Sequence, residues 1–216
     1  MNTTILTMST ARHRDFAKTL QSELSKYCRI HATSLSLDED CEGDFHSSNF
    51  FNACYNKICN IVCALEKKQL GDVLIYLDAD ICVRGDIASA MIDELGDSHI
   101  AFQRDSSVYC AGMFVCKACP EVLNFFKTVR SALIENKEYY VDRTYDQGTI
   151  NELLPHSGLR YSFLSDRFTT YGNIAHSAWS PNSAEFELDS SVLAFHANYT
   201  KGLENKKALL AYIRSI

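Results

Sequence analysis

Proline and glycine are scarce in this 216-residue chain, with three prolines and nine glycines. Their scarcity excludes a collagen-like repeat, a low-complexity segment and a proline-rich linker. Basic excess is missing as well. Lys plus Arg number 21 against 27 Asp plus Glu, so the formal net charge is 21 − 27 = −6. With no basic run to offset this, the chain has no electrostatic footprint for a nucleic-acid backbone. No stretch approaches the ~18 apolar residues of a membrane span. The opening MNTTILTMSTARHRDF has no charged head followed by an apolar core, so no signal peptide is expected and a cytoplasmic location is.

Hydrophobic residues make up 46% of the chain and charged residues 22%, as in an ordinary globule. The length suits one domain over residues 1–216, large enough to bury a core without staples. The nine cysteines are odd in number and sit inside apolar runs such as NKICNIVCAL. They read as reduced, buried thiols. Asn2-Thr3-Thr4 and Asn198-Tyr199-Thr200 fit the N-glycosylation pattern, which is inert in the cytosol.

Hydrophobic periodicity predicts an α/β start. Thr3 to Met8 and Ile30 to Leu37 read as strands, and Val73 to Leu77 (VLIYL) as a buried parallel strand. Between them lie a helix capped at Ser9 or Thr10 with Phe16, Leu20 and Leu24 inward, and a long helix from Phe50 to Gln69. Asp38 to Ser48 is an acidic loop. Further on, Asp86 caps a short helix. Ile100 to Gln103 and Gly112 to Cys116 are strand-like, and Pro120 opens an amphipathic helix to Leu133. Asp146 to Leu154 is a short helix, Tyr161 to Leu164 and Val192 to Phe195 are strand-like, and Leu203 to Ile213 closes the chain.

The glycines build neither GxGxxG nor GxxxxGK[ST], so a bound nucleotide would need other groups to neutralise its phosphates. The sharpest feature is LDAD after VLIYL. Asp78 and Asp80 lie two apart, so on an extended chain both point to one side, just beyond the carboxyl end of a buried strand. Two acids there repel each other, and a hard cation, Mg²⁺ or Mn²⁺, is the natural remedy. The CxxC of Cys116 and Cys119 lacks the second pair that zinc requires. Phe50-Phe51 and Tyr139-Tyr140 are read as core or rim aromatics.

VLIYLDADICVRGDI resembles the metal-binding segment of GT-A nucleotide-diphospho-sugar transferases, the DxD glycosyltransferases. SVYCAGMFVCK, YDQGTINELL and FHANYTKGLENK resemble further segments of that family, in the same order. The resemblance implies a single GT-A domain, Rossmann-like, with a mixed, mostly parallel central sheet flanked by helices. Residues 1–80 would form its nucleotide-binding half. Residues 81–216 would carry the acceptor side and the C-terminal metal and diphosphate segment. It also implies roles: Asp78, Asp80 and His196 as metal ligands, Asp78 with Ala79 also toward the donor, and Lys201, Gly202 and Lys206 at the diphosphate. Thr7, Met8 and Ser9 would seat the nucleoside, Arg12 and Lys57 would be donor-side cations, and Asp105 and Gly112 would flank the donor sugar. Asp146, Gln147 and Asp105 are the catalytic candidates. An N-capping role is the structural alternative for Asp146, and a solvated helix start is that for the two lysines.

The implied activity is metal-dependent transfer of a hexose or deoxyhexose from a UDP-sugar, such as UDP-glucose, to a hydroxyl of a glycan or glycoprotein acceptor, with retention of configuration. The resemblance extends to transferases encoded by large algal DNA viruses. One alternative is a non-catalytic nucleotide-sugar or glycan-binding domain of a larger synthase. Another is a haloacid-dehalogenase-type phosphatase, disfavoured because its DxD follows the first strand and is followed by Thr or Val where Cys82 stands here. The oligomeric state is not legible in the sequence.

Overall fold

The computed structural model describes residues 2–30, 32–36, 49–136, 138, 145–175 and 177–216. The acidic stretch Asp38 to Ser48 and the pair Tyr139-Tyr140 lie outside them. β1 (Thr3–Ser9) passes through one 3-10 turn (Ala11–His13) into α1 (Arg14–Tyr27). β2 (Ala32–Ser36), α2 (Phe50–Glu66) and β3 (Val73–Asp78) follow. β1 pairs in parallel with β2 and with β3, the doubly wound start that the periodicity predicts.

β4 (Ile81–Val83), α3 (Ile87–Leu95), β5 (Ile100–Asp105), β6 (Val108–Lys117) and α4 (Pro120–Glu135) come next. The chain continues through α5 (Asp146–Leu153), β7 (Tyr161–Phe163), β8 (Phe168–Thr170), β9 (Ala194–His196) and α6 (Leu203–Ser215). The central sheet has six strands in the order β2-β1-β3-β6-β5-β7. It is mixed because β6 runs antiparallel to both neighbours, whereas β7 is parallel to β5. A connection of two residues, Ser106-Ser107, allows β5 and β6 no other sense.

Alternation along the strands divides the core. Leu6, Met8, Leu74, Tyr76, Phe102 and Phe114 face α2, α4 and α5, packing on Ile58, Ile61, Phe126 and Ile150. Ile5, Ile75, Leu77, Ala101, Met113 and Val115 face α1 and α3, packing on Leu20, Leu24, Ile87 and Met91. β3 is therefore buried on both faces, which explains its unbroken apolar run. Truncating any of these buried leucines to alanine would cost about 2–5 kcal/mol.

A second sheet, β4-β9-β8, joins α6 over the carboxyl end of the first. Its strands have three residues each. Neither β4 nor β8 is among the expected strands: three residues show no period, and unlike β9, which falls in the apolar run Val192 to Phe195, β8 (FTT) has no apolar run and β4 follows directly on the turn after Asp78. Asp86 caps α3 as predicted, accepting from the Ser89 N–H at 3.2 Å. The thiols correct the sequence reading in part. The eight described cysteines are free, but Cys63 is exposed and Cys59 and Cys119 only half-buried. Helical geometry turns Cys63 outward from α2 although its sequence neighbours are apolar.

Candidate active site

β3 delivers the first carboxylate. Tyr76 and Asp78 share the α2 face of the strand, and the Tyr76 hydroxyl donates to Asp78 Oδ1 at 2.7 Å. From the buried stripe of α2, Lys57 reaches Asp78 at 3.4 Å and ion-pairs with Asp146 Oδ2 at 2.6 Å. Burial opposes the charge on Lys57, but Asp146 and Asp78 overcome it and raise its pKa well above the usual lysine value.

Asp80 arrives by another route than the expected extended alternation. β3 ends at Asp78, Ala79 and Asp80 form a turn, and β4 begins at Ile81, whose antiparallel partner is His196. That register sets Asp80 beside His196. The Ala197 N–H donates to the Asp80 carbonyl at 3.0 Å, and His196 Nε2 lies 3.3 Å from Asp80 Oδ1. Lys206, in the first turns of α6, donates to Asp80 Oδ2 at 2.7 Å. Burial resists the ionisation of Asp80, yet Lys206 and His196 hold its carboxyl well below the ordinary range. Burial likewise resists charging His196, and Asp80 overrides it, raising the imidazole well above its usual pKa.

Asp78, Asp80 and His196 each offer a ligand atom within 4.8 Å of the others. They are the one such group among the described residues, and the CxxC belongs to none. Gly112 on β6 is wedged between two of them. A Cβ there would collide with His196 Cε1 and lie 2.6 Å from Asp78 Oδ2. Two carboxylates and an imidazole suit Mn²⁺ or Mg²⁺, and Lys206 meets Asp80 through Oδ2 while Oδ1 lies on the His196 side, so the residues present fit such an ion. The expected repulsion between the acids needs correction, however. Lys57 and Lys206 already supply countercharge, and with His196 protonated, three carboxylates (Asp78, Asp80, Asp146) face three cations.

These groups line a pocket of about 780 Å³ at the carboxyl ends of β1 and β3. Met8, Ser9, Ala79, Asp105, Gln147 and Lys201 also line it. Gln147 accepts from the Ala111 N–H at 3.2 Å and donates to Asp105 at 3.4 Å. Asp146 is the first residue of α5 and turns its carboxylate to Lys57; no capping bond is made there, contrary to the structural alternative. Lys206 is buried, contrary to the solvated helix-start reading, whereas Lys201 is exposed.

Three candidates stand apart from the pocket wall. Thr7 is fully buried inside β1. Gly202 precedes α6 with φ +83°, a backbone that favours glycine. Arg12 is exposed, because the 3-10 turn directs it outward and brings His13 inward instead. Sequence reasoning missed His13, Tyr76, Gln103 and Cys110. Tyr76 could have been found from its i, i+2 relation to Asp78.

A family model of nucleotide-diphospho-sugar transferases matches residues 68–210, well over half of the chain. The chain belongs to that family. It is a transferase, and the DxD of this transferase closes the third strand, not the first as the phosphatase alternative requires. A glycosyltransferase involved in glycosylation of the major capsid of the virus PBCV-1 has the same fold. It is 15% identical with TM-score 0.66, over 97% of this chain and 99% of that one. Glycosyltransferase GlyE of Streptococcus pneumoniae TIGR4, in its apo form, is 17% identical with TM-score 0.60, over 100% of this chain and 64% of that one. No curated protein sequence matches significantly. No described helix is long and apolar enough to cross a membrane.

Proposed function

We propose that this transferase moves a hexose or deoxyhexose from a UDP-sugar, with UDP-glucose as the representative donor, to a hydroxyl of a glycan or protein-linked acceptor. Mn²⁺ or Mg²⁺ would be held by Asp78, Asp80 and His196, and the anomeric configuration would be retained. The convergence of those three side chains at the floor of the pocket carries the reading. A bound divalent ion supplies Lewis-acid neutralisation of the departing diphosphate. Lys201, exposed at the pocket wall, and Lys206, poised on Asp80, add point charges toward the same diphosphate.

Retention is supported by the two carboxylates that could otherwise act as an inverting base. Asp146 is engaged by the Lys57 ammonium, and Asp105 accepts from Gln147 and from Thr170. Neither stands ready to take a proton from an acceptor hydroxyl. In this reading Asp146 and Gln147 position the sugar and Asp146 supports positive character at the anomeric carbon. The likeness to the PBCV-1 enzyme, nearly complete over both chains, favours a protein-linked glycan as acceptor.

The test is a nucleotide-sugar screen by thermal shift with Mn²⁺ and with chelator, followed by NMR coupling constants of the product. The expected result is metal-dependent stabilisation by a UDP-sugar and a retained anomer. Donor binding with no product would favour the binding-domain alternative. An inverted product would promote Asp146 or Asp105 to catalytic base.

A further inference from the structure

Gln103 belongs to no segment that the family resemblance marks, yet it is a wholly buried polar side chain aimed at the site. It sits where β5 and β6 fall out of register. Phe102 pairs with Phe114, but the next residue, Gln103, pairs with Cys110. The bulge carries Ala111, Gly112 and Met113 past β5, and such bulges re-aim side chains beside functional sites. Gln103 Nε2 donates to the Thr169 carbonyl of β8 at 2.9 Å. A carbonyl only accepts, so this contact fixes the amide orientation and turns Oε1 to His196 Nδ1, 3.1 Å away. An amide oxygen also only accepts, so Nδ1 must carry the proton. In the neutral ring the lone pair is then on Nε2, the nitrogen that faces Asp80.

We infer that Gln103 is a positioning residue for the divalent-cation site. It selects the Nδ1–H tautomer of His196 and holds the ring so that Nε2 is presented beside Asp78 and Asp80. The inference rests on the metal reading given above. The other group near Nδ1 is the Cys110 sulfur at 3.6 Å, which already receives the Gly112 N–H and is the weaker acceptor. Partners of this kind tune ligand basicity, and their loss typically lowers metal affinity about 10–100-fold.

The test uses Mn²⁺ alone, titrated by electron paramagnetic resonance against wild type, Gln103→Leu, Gln103→Glu and His196→Ala. Histidine side-chain ¹⁵N NMR of the metal-free proteins at alkaline pH reads the tautomer. Gln103→Leu should lower Mn²⁺ affinity about 10–100-fold and populate the Nε2–H tautomer. Gln103→Glu keeps an oxygen acceptor at the same place and should restore the affinity to within a few-fold of wild type, whatever its melting temperature. Unchanged affinity and tautomer in Gln103→Leu, or a Gln103→Glu variant as weak as the leucine one, would overturn the inference. If His196→Ala leaves Mn²⁺ affinity unchanged, the metal reading fails instead, and the tautomer spectrum still decides the role of Gln103.

Discussion

Asp78 and Asp80 are two residues apart, yet they belong to different parts of the molecule. Asp78 ends the central sheet and answers to α2 through Lys57 and to its own strand through Tyr76. Asp80 lies in the turn leading to the small sheet and answers to β9 and α6 through His196 and Lys206. The first environment is built by long, regular elements with deep apolar packing. The second depends on one antiparallel register between three-residue strands. The site exists where the two meet, so it is broken most easily from the Asp80 side or at the seam.

The largest effect should therefore come from Asp80→Asn. It leaves the Lys206 ammonium and the His196 imidazole without a counter-charge, and breaking a buried pair costs about 3–5 kcal/mol. Thermal unfolding should drop accordingly, and adding Lys206→Met should recover much of the loss. Donor affinity should fall by on the order of a hundredfold or more and lose its dependence on Mn²⁺ in both variants. Unaltered Mn²⁺ dependence in the double variant would show that Asp80 is not a ligand.

Gly112→Ala attacks the seam. The added methyl must displace His196 or Asp78, because it would lie 2.6 Å from Asp78 Oδ2. Mn²⁺ affinity measured by calorimetry should fall roughly 10–100-fold, with the central sheet intact by circular dichroism. An alanine variant with wild-type affinity would mean that the ligands do not close around this glycine.

The Asp80 side should also respond to pH. Asp80 raises the pKa of His196, so in the metal-free protein the ion pair stabilises the fold fully below the unfolded histidine value. That contribution fades as pH rises through the raised folded value. A cation at Nε2 must expel this proton. Mn²⁺ affinity should thus increase about tenfold per pH unit below the folded pKa and then level off. A flat profile would remove His196 from the ligand set.

The smallest effect is a control away from the seam. Asp86→Ala removes the α3 cap and should cost about 1 kcal/mol of stability, leaving Mn²⁺ affinity unchanged. The carboxyl of the exposed Asp86 is held below its usual pKa, against some desolvation, by the Ser89 hydroxyl and N–H. Its share of stability is accordingly present above the unfolded value and lost as pH falls through the folded one. A loss of metal affinity here would mean that the site depends on global stability.

The same division explains what could be read from the sequence. The α/β start, β3 and its two acids were legible because a five-residue apolar run ending in LDAD is a local pattern. Lys57 entered as a donor-side cation through the family resemblance, and its place on the buried stripe of α2 came from the structure. By contrast, β4 and β8 are too short to show a period, and nothing local says that Ile81 pairs with His196. That residue entered through family resemblance alone. Gln103 was invisible, because its role follows from a bulge and from contacts with β8 and β9. His13 and Arg12 exchanged places through the geometry of a single 3-10 turn.

One divalent cation is expected between the two environments. This is tested most directly by diffraction from crystals soaked in MnCl₂ and UDP, with an anomalous map collected at the manganese edge. The expected map has one peak at the floor of the pocket, within coordinating distance of Asp78, Asp80 and His196 Nε2 and beside the diphosphate. UDP bound in the pocket with no manganese peak there, or a peak elsewhere on the molecule, would contradict it.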